Sequence, residues 1–230
     1  MKTEIYSTAD EVAQKAAEYL EAKIRETINT KGSFSMAISG GRTPWEMLKI
    51  LSKAHLRWTK VNIFQVDERI APDGHLDRNL TQLFKSIEGS GIVTKVNIFP
   101  MHVISEDPEE ACLDYAKTIL EITGDGILDL VHLGMGADGH TASLVPGDKV
   151  CEIKDQNVAI TFDPYQGRKR MTLTYPLINQ AREILWVITG EEKAEMVERL
   201  LNEDYSIPAG KVNQENALAL LDQPAAKLIG

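Results

Sequence analysis

Apolar segments of strand length alternate with amphipathic segments of helix length along nearly the whole chain, and this alternation constrains the fold most. Residues 61–66 (VNIFQV) and 183–189 (EILWVIT) are typical strand segments. The first helical segment follows the capping sequence at 7–10 (STAD) and carries apolar residues at helical spacing. Further strands are expected at 33–38, 96–100, 127–133, 158–162, 170–175 and 217–221. Strands that alternate with long helices predict an α/β fold: a mostly parallel sheet with helices on both faces.

The length of the chain fits one large α/β domain with an ample hydrophobic core. Its 230 residues contain no linker, repeat or low-complexity tract. We therefore expect a single domain over residues 1–230, with a small additional lobe around residues 148–175.

The charge and cysteine content restrict the partners and the compartment. Lysine plus arginine number 25 and aspartate plus glutamate 34, so the formal net charge is −9. Because no basic surplus is available for nucleic acid, an anionic substrate must meet a local cluster of cations. The two cysteines lack metal-type spacing, and neither a signal-peptide core nor a membrane-spanning apolar run is evident. We expect a reduced, cytoplasmic monomer that binds neither nucleic acid nor membrane.

The stretch 129–147, DLVHLGMGADGHTASLVPG, is the strongest candidate for chemistry. An apolar strand ends there, and three glycines allow the backbone to turn tightly and to approach a ligand closely. An acid, Asp138, and a base, His140, lie on this loop. Open α/β sheets usually hold their active sites on loops that follow a strand. The three glycines are Gly134, Gly136 and Gly139.

The same glycines match the dinucleotide fingerprint G-x-G-x-x-G, which is one alternative. That fingerprint needs a long helix after the third glycine, whereas HTASLVPG allows only about two turns before a Pro-Gly stop. An acid at a suitable distance does exist, Asp163. A purely structural turn is a second alternative. A catalytic loop is favoured because a turn alone does not need an acid and a base two residues apart.

Three more polar loops, 39–44, 67–69 and 190–193, are expected at the carboxyl ends of strands. In a parallel sheet these ends share one edge, so the loops converge on one crevice. The segment SGGRTP (39–44) has the form of an anion site, with Thr43 capping a helix that begins at Pro44. An ordinary capped turn is the alternative.

The charged residues on these loops are candidates for substrate binding, although each also has a simpler explanation. Asp67-Glu68-Arg69 would ordinarily be a solvated charge run, but it directly ends an apolar strand, so we expect Arg69 to pair with an acid or to hold a carbonyl or phosphate oxygen. Arg168-Lys169-Arg170 is the only tight basic run, with a solvated surface as its alternative. Lys193 taken alone is an ordinary exposed helix lysine. His132 fits a buried core histidine, and no histidines have metal-ligand spacing, so we predict no metal.

Five motifs, taken in order, resemble the 6-phosphogluconolactonase family over roughly residues 30–215. They are SGGRTP (39–44), VDERIAPDGHLDRN (66–79), LGMGADGHTASLVPG (133–147), RMTLT (170–174) and TGEEKAE (189–195). The glycine loop is the most specific of them. This chain departs from the family in having SLVPG where SLFPG is more frequent and Arg78 where serine is frequent. We expect Arg78 to add a cation near the site.

The resemblance implies a Rossmann-like α/β fold and the hydrolysis of 6-phospho-D-glucono-1,5-lactone to 6-phosphogluconate, a step of the oxidative pentose phosphate pathway, without a cofactor. It implies that His140 is the general base and that Arg69 lies at the substrate. We expect Asp138, on the same loop, to orient the loop or to hold a hydroxyl of the substrate. The residues expected to bind the phosphate or the rest of the substrate are Gly40, Gly41, Arg42, Thr43, Asp67, Gly136, Arg170 and Lys193.

A δ-lactone is an activated ester, so water activated by a histidine is sufficient for its hydrolysis. Histidine ordinarily titrates with a pKa of about 6.5 and can accept a proton from water at neutral pH. Arg69 or the N–H groups of the glycine loop would then stabilise the oxyanion. Ser143 as a nucleophile is the rival mechanism, but it lacks a G-x-S-x-G elbow.

Two other functions stay open as alternatives. Glucosamine-6-phosphate deaminases resemble this chain but have tyrosine after Asp-Glu, where this chain has Arg69. A sugar-phosphate-sensing domain of a transcription regulator would need a basic DNA-binding segment, which is not evident here.

Overall fold

The computed structural model describes residues 1–229 and contains a central seven-stranded sheet. The strands are β1 (Lys2–Tyr6), β2 (Phe34–Ile38), β3 (Val61–Gln65), β4 (Asp67–Arg69), β5 (Asn97–Phe99), β6 (Leu130–Leu133), β7 (Val158–Ile160), β8 (Arg170–Leu173), β9 (Ile184–Ile188) and β10 (Ala217–Asp222). The large sheet has the order β1-β10-β9-β6-β2-β3-β5. Every neighbouring pair in it is parallel.

Six α-helices cover the two faces of this sheet. They are α1 (Ala9–Lys31), α2 (Arg42–Leu51), α3 (Asn79–Ile87), α4 (Pro108–Thr123), α5 (Tyr175–Gln180) and α6 (Ala194–Leu201). Apolar side chains of α1, α2 and α3 share one core cluster, and those of α4, α5 and α6 share the other. Because successive strand residues point to opposite faces, a sheet covered on both faces needs nearly continuous apolar strands. The predicted α/β class, with a mostly parallel sheet and helices on both faces, is confirmed.

Helix α1 shows how local signals and burial act together. The hydroxyl of Thr8 accepts the N–H of Glu11 at 3.2 Å, as the capping sequence predicts. Gly32 ends the helix with a φ of 93°, a left-handed conformation that favours glycine. The helix buries Leu20 and Ile24 completely. Each such side chain contributes about 1.5–3 kcal/mol to stability.

The strand order reverses between β2 and β6. From β2 the chain continues outward through β3 and β5, and it then returns to the other side of β2 and continues through β6, β9 and β10. The loops that follow β2 and β6 therefore diverge and leave a crevice at the carboxyl edge of the sheet. This is the edge at which the sequence predicts the polar loops.

A second, three-stranded antiparallel sheet is formed by β4, β8 and β7. Its β7 and β8 lie within the segment expected to form a small lobe. The prediction that 67–69 is a loop is wrong, because these residues pair with 170–172 as a strand. The single-domain organisation stays a prediction.

The start of one helix also differs from the prediction. Helix α2 begins at Arg42 and has Gly41, not Thr43, as its cap. The hydroxyl of Thr43 instead forms a hydrogen bond with the hydroxyl of Thr189 at 2.8 Å.

Strand β1 and the short helix α5 were not predicted, because their few apolar residues give no clear periodicity. In the described part of the chain, no helix has both the length and the apolar character needed to cross a membrane.

Candidate active site

A cavity of about 460 Å³ lies at the crevice between the loops after β2 and β6. The loop after β2 contributes Gly40 and Gly41 to its lining, and the glycine loop contributes His140. The small sheet contributes Arg69 and Arg170. Segments 39–44, 67–69 and 134–143 thus meet around one cavity, as predicted, whereas the fourth expected segment, 190–193, does not line it.

His140 and Asp138 form a close pair at this cavity. The Nδ1 atom of His140 lies 2.6 Å from Oδ1 of Asp138, and the backbone N–H of His140 donates to the same oxygen at 3.2 Å. Burial by itself raises the pKa of Asp138, but the hydrogen bonds and charge of His140 outweigh it and leave the pKa below its ordinary value. Asp138 is therefore a carboxylate, and it receives the Nδ1 proton of the ring. The Nε2 atom is then the basic nitrogen of His140.

Gly136 makes room for this pair. Its N–H donates to the carbonyl oxygen of His140 at 2.8 Å, which closes the loop on itself. A Cβ atom at this position would lie 2.0 Å from Nδ1 of His140 and 2.5 Å from Oδ1 of Asp138. Gly136 does not line the cavity, so its direct contact with substrate stays a prediction, and its observed role is to leave space for His140.

The cavity concentrates positive charge in an acidic chain. Four arginines and two aspartates line it, whereas the whole chain has a net charge of −9. The arginines are Arg42, Arg69, Arg168 and Arg170, and the aspartates are Asp67 and Asp77. This is the local cluster of cations that the overall charge requires for an anionic substrate.

Two of these arginines are paired neighbours on adjacent strands of the small sheet. Arg69 on β4 is directly opposite Arg170 on β8. Burial lowers the pKa of Arg170, the charge of Asp67 partly offsets this, and the charge of Arg69 lowers the pKa further. Like charges directly opposite each other in a sheet destabilise it. A bound anion would remove this repulsion, so the pair indicates an anion-binding site.

Arg168 is held at the cavity by a neighbouring loop. Its Nε donates to Oδ2 of Asp77 at 2.8 Å, and its Nη2 lies 3.3 Å from Nε2 of His75. The hydrogen bond from Arg168 lowers the pKa of Asp77. The basic run is therefore divided: Arg168 and Arg170 line the cavity, whereas Lys169 is exposed elsewhere.

Asp67 is buried and connects three parts of the site. Its Oδ2 accepts the hydroxyl of Ser143 at 2.6 Å, and its Oδ1 accepts Nδ2 of Asn79 at 3.1 Å. Oδ1 of Asn79 in turn accepts Nη1 of Arg69 at 3.0 Å. Ser143 is fully buried and donates its hydroxyl proton to Asp67. Because Ser143 is fully buried, its hydroxyl is not accessible to a substrate, which argues against a nucleophilic role.

The loop before α2 depends on glycine for a close approach. A Cβ atom on Gly40 would lie 2.2 Å from Oδ1 of Asn79. Gly41 has a φ of 146° and begins α2 without a side-chain cap. Because Gly40, Gly41 and Arg42 line the cavity, the positive end of α2 lies beside it. This geometry favours the anion site over an ordinary capped turn.

Glu68 and Arg78 form a buried structural pair that the sequence did not reveal. Nε of Arg78 lies 3.0 Å from Oε2 of Glu68, and Glu68 also accepts the backbone N–H groups of Asn79 and Leu80 at the start of α3. The expectation that Arg78 adds a cation to the site is wrong. Its guanidinium is buried, donates to the carbonyl oxygen of Ala71 and does not line the cavity.

Three other expected residues lie beside the cavity rather than on its lining. Asp138 contacts His140, which lines the cavity, and the hydroxyl of Thr43 forms a hydrogen bond with Thr189. Lys193 donates to the carbonyl oxygen of Met135 in the glycine loop. Burial lowers the pKa of Lys193, and the charges of Glu192 and Asp138 oppose that shift. Binding of phosphate by Lys193 and Thr43 stays a prediction.

Tyr165 contacts Asp138 and His140, and no sequence motif predicts this contact. Its hydroxyl lies 3.0 Å from Oδ2 of Asp138 and 3.3 Å from Nδ1 of His140. It belongs to the connection between β7 and β8, and no local motif links it to the glycine loop. Among the described residues, no group of three or more histidine, cysteine, aspartate or glutamate side chains is placed to hold a metal ion.

A model of one protein family matches most of this chain and identifies the family to which it belongs. The family model described as glucosamine-6-phosphate isomerases/6-phosphogluconolactonase matches residues 7–220. The chain belongs to this family. Within the glucosamine-6-phosphate isomerase/6-phosphogluconolactonase family, several members are similar to it over nearly the whole length of the chain.

Two relatives and one solved structure illustrate that similarity. The chloroplastic 6-phosphogluconolactonase 3 of Arabidopsis thaliana is 30% identical, with 98% of this chain and 74% of that protein covered. The 6-phosphogluconolactonase of Synechocystis is 30% identical, with 93% and 92% covered. A solved 6-phosphogluconolactonase from Thermotoga maritima is 26% identical, with a TM-score of 0.82 and 96% and 99% of the two chains covered. The Rossmann-like fold that the motifs imply is therefore confirmed.

Proposed function

We propose that the chain hydrolyses 6-phospho-D-glucono-1,5-lactone to 6-phosphogluconate. The observation that carries this proposal is the presence of His140, paired with Asp138, in a cavity that four arginines also line. Such a cavity offers a base for water and cations for a phosphate. Relatives that bear the name 6-phosphogluconolactonase support the same reaction.

The phosphate of the substrate is bound by the cationic part of the cavity. Arg168 and Arg170 supply guanidinium groups, and Gly40 and Gly41 bring the positive end of α2 close to the ligand. Binding of the phosphate beside Arg170 also offsets the repulsion between the like charges of Arg170 and Arg69. Binding of the remote phosphate then positions the lactone ring against His140.

His140 performs the proton transfers. Its Nδ1–H donates to Asp138, so Nε2 accepts a proton from water as the water oxygen bonds to C1 of the lactone. The carbonyl oxygen becomes an oxyanion, and Arg69 stabilises it. Of the three side-chain nitrogens of Arg69, only Nη1 is hydrogen-bonded within the described residues, to the carbonyl oxygen of Asp77 and to Oδ1 of Asn79. When the bond between C1 and the ring oxygen breaks, the protonated His140 returns its proton to that oxygen.

The experiment that tests this function follows lactone loss by NMR, with correction for spontaneous hydrolysis. We expect His140→Ala to lower the catalysed rate by about 10²- to 10⁴-fold, because proton transfer is lost. His55→Ala, at an exposed histidine far from this cavity, is the matched control and should keep the wild-type rate.

Two results would contradict the proposal. The first is a wild-type protein that does not accelerate lactone loss. The second is steady release of ammonia from glucosamine-6-phosphate at a comparable rate, which would support the deaminase. A monomeric, cytoplasmic enzyme that needs no metal stays our prediction, and sedimentation and activity after chelation would check the first and last of these properties.

A further inference from the structure

Tyr165 contacts both members of the pair that the proposed reaction uses. Besides the distances to Asp138 and His140 given above, its ring meets the His140 ring edge-on, with centroids 5.1 Å apart and an interplanar angle of 63°. The Asp138 side chain is 40% exposed, and both hydrogen bonds from His140 reach only its Oδ1 atom, so Oδ2 needs a partner of its own to be held in place. The hydroxyl of Tyr165 donates a hydrogen bond to this second oxygen of Asp138, Oδ2.

The hydrogen-bonding capacity of the three groups fixes which atom donates to which. A carboxylate can only accept, and Oδ1 of Asp138 is 2.6 Å from Nδ1 of His140, so Nδ1 carries the proton. The Tyr165 hydroxyl has one proton, which it donates to Oδ2 of Asp138. Both oxygens of Asp138 are then occupied, and Nε2 of His140 is left as the base.

The backbone holds Tyr165 firmly in this position. The N–H of Tyr165 donates to the carbonyl oxygen of Arg168 at 2.9 Å, and a tight turn through Gln166 and Gly167 closes the hairpin. Both turn residues have positive φ, 53° and 82°. The guanidinium carbon of Arg170 lies 5.0 Å from the centroid of the Tyr165 ring. The Tyr165 side chain thus contacts Asp138 and His140 through its hydroxyl and Arg170 through its ring.

We propose that Tyr165 is a positioning residue, which holds Asp138 so that His140 keeps the proton on Nδ1 and presents Nε2 to water. This inference rests on the lactonase function proposed above. It assigns two separable contributions: the hydroxyl serves proton transfer, and the ring orients Arg170 for the phosphate.

Two substitutions separate the hydroxyl from the ring. Tyr165→Phe removes only the hydrogen bond to Asp138, and we expect kcat to fall about tenfold with KM within about twofold of the wild type. Tyr165→Leu also removes the ring under Arg170, so KM should rise in addition. Tyr205→Phe is the matched control, because Tyr205 is 65% exposed and lies away from the cavity. It should keep wild-type kcat and KM.

A spectroscopic measurement tests the positioning without any assay of activity. The ¹⁵N resonances of the neutral His140 ring report which nitrogen carries the proton. The wild type and Tyr205→Phe should show the proton on Nδ1, and Tyr165→Phe should show a mixture of both tautomers. The melting temperature of each variant establishes that it is folded.

The possible outcomes separate the two proposals. Wild-type kcat and an unchanged tautomer in folded Tyr165→Phe would overturn the role of Tyr165 while leaving the lactonase function intact. A wild-type protein without lactonase activity would overturn the proposed function, and the tautomer ratio would still decide whether Tyr165 positions His140. A rise in KM alone in Tyr165→Phe would also overturn the assignment of the hydroxyl to proton transfer.

Discussion

At the scale of single residues, the position of the His140 ring depends on the absence of a side chain at Gly136. An added Cβ would overlap Nδ1 of His140, at 2.0 Å. We predict that Gly136→Ala displaces the ring and lowers kcat by about 100-fold, because a misplacement of about 1 Å is enough for such a loss. Gly134→Ala is the spatial control, since its Cβ would meet nothing closer than the Val187 carbonyl oxygen at 3.9 Å.

The measurements for this prediction are kcat and the ring resonances of His140. The resonances should move in Gly136→Ala and stay in place in Gly134→Ala. Equal resonances in the wild type and Gly136→Ala would show that the loop relaxes around the methyl group.

How much of the site could be predicted differs from residue to residue. Asp138 and His140 could be, because they are two residues apart on a loop with a recognisable motif. Tyr165 could not, because its contact with them depends on a hairpin turn in a distant segment and on no local pattern. Arg78 was misassigned because charge alone does not tell whether a side chain points to the cavity or pairs with a buried carboxylate such as Glu68.

At the scale of secondary-structure elements, the pairing of β4 with β8 places Arg69 opposite Arg170. We predict that Arg170→Met destabilises the ligand-free protein by about 3 kcal/mol, because the buried carboxylate of Asp67 loses the guanidinium that lies 3.7 Å from it, and relief of the repulsion from Arg69 offsets this loss only in part. Phosphate or 6-phosphogluconate should raise the melting temperature of the wild type by mass action and raise that of Arg170→Met much less.

Thermal melting at several ligand concentrations checks this prediction. Arg25→Met, on the exposed side of α1, is the control and should keep the full ligand-induced shift. An equal shift in Arg170→Met and the wild type would place the anion elsewhere.

The elements themselves were predicted with uneven success, for physical reasons. Strands buried on both faces are continuous apolar runs, and capped amphipathic helices such as α1 carry their own signals, so both were found. Strand β4 was not, because three charged residues form a strand only through their partner β8, which is distant in the sequence. The start of α2 was placed too late because Gly41 caps it without any side chain.

At the scale of the whole molecule, the stability of the protein should depend on pH through His132. This histidine is fully buried in β6, and burial lowers its pKa to about 3. The unfolded chain binds a proton at this residue below its ordinary pKa of about 6.5, whereas the folded protein does not until about pH 3. The stability that the folded protein gains while His132 is neutral in both states is therefore fully present above about pH 6.5. It is lost as the pH falls towards 3.

We predict that, between pH 7 and pH 5, the wild type loses about 2 kcal/mol more free energy of unfolding than His132→Leu does. Chemical denaturation at the two pH values measures this difference, in which the contributions of the other titrating groups cancel. His55→Leu, at an exposed histidine, should retain the pH dependence of the wild type. Parallel pH profiles for the wild type and His132→Leu would contradict the prediction.

The small antiparallel sheet also has a consequence for the order in which the protein can fold. Its β4 and β8 belong to segments that are joined by a very long loop of chain, and closing such a loop costs conformational entropy before any contact compensates for it. Local hairpins and helices form fast, whereas such distant pairings form slowly. A nascent chain can therefore contain the loop after β2 and residues 67–69 without an anion site, because Arg170 and Tyr165 are still to be synthesised. The cavity that we propose for the substrate is therefore complete only when the last third of the polypeptide has been synthesised.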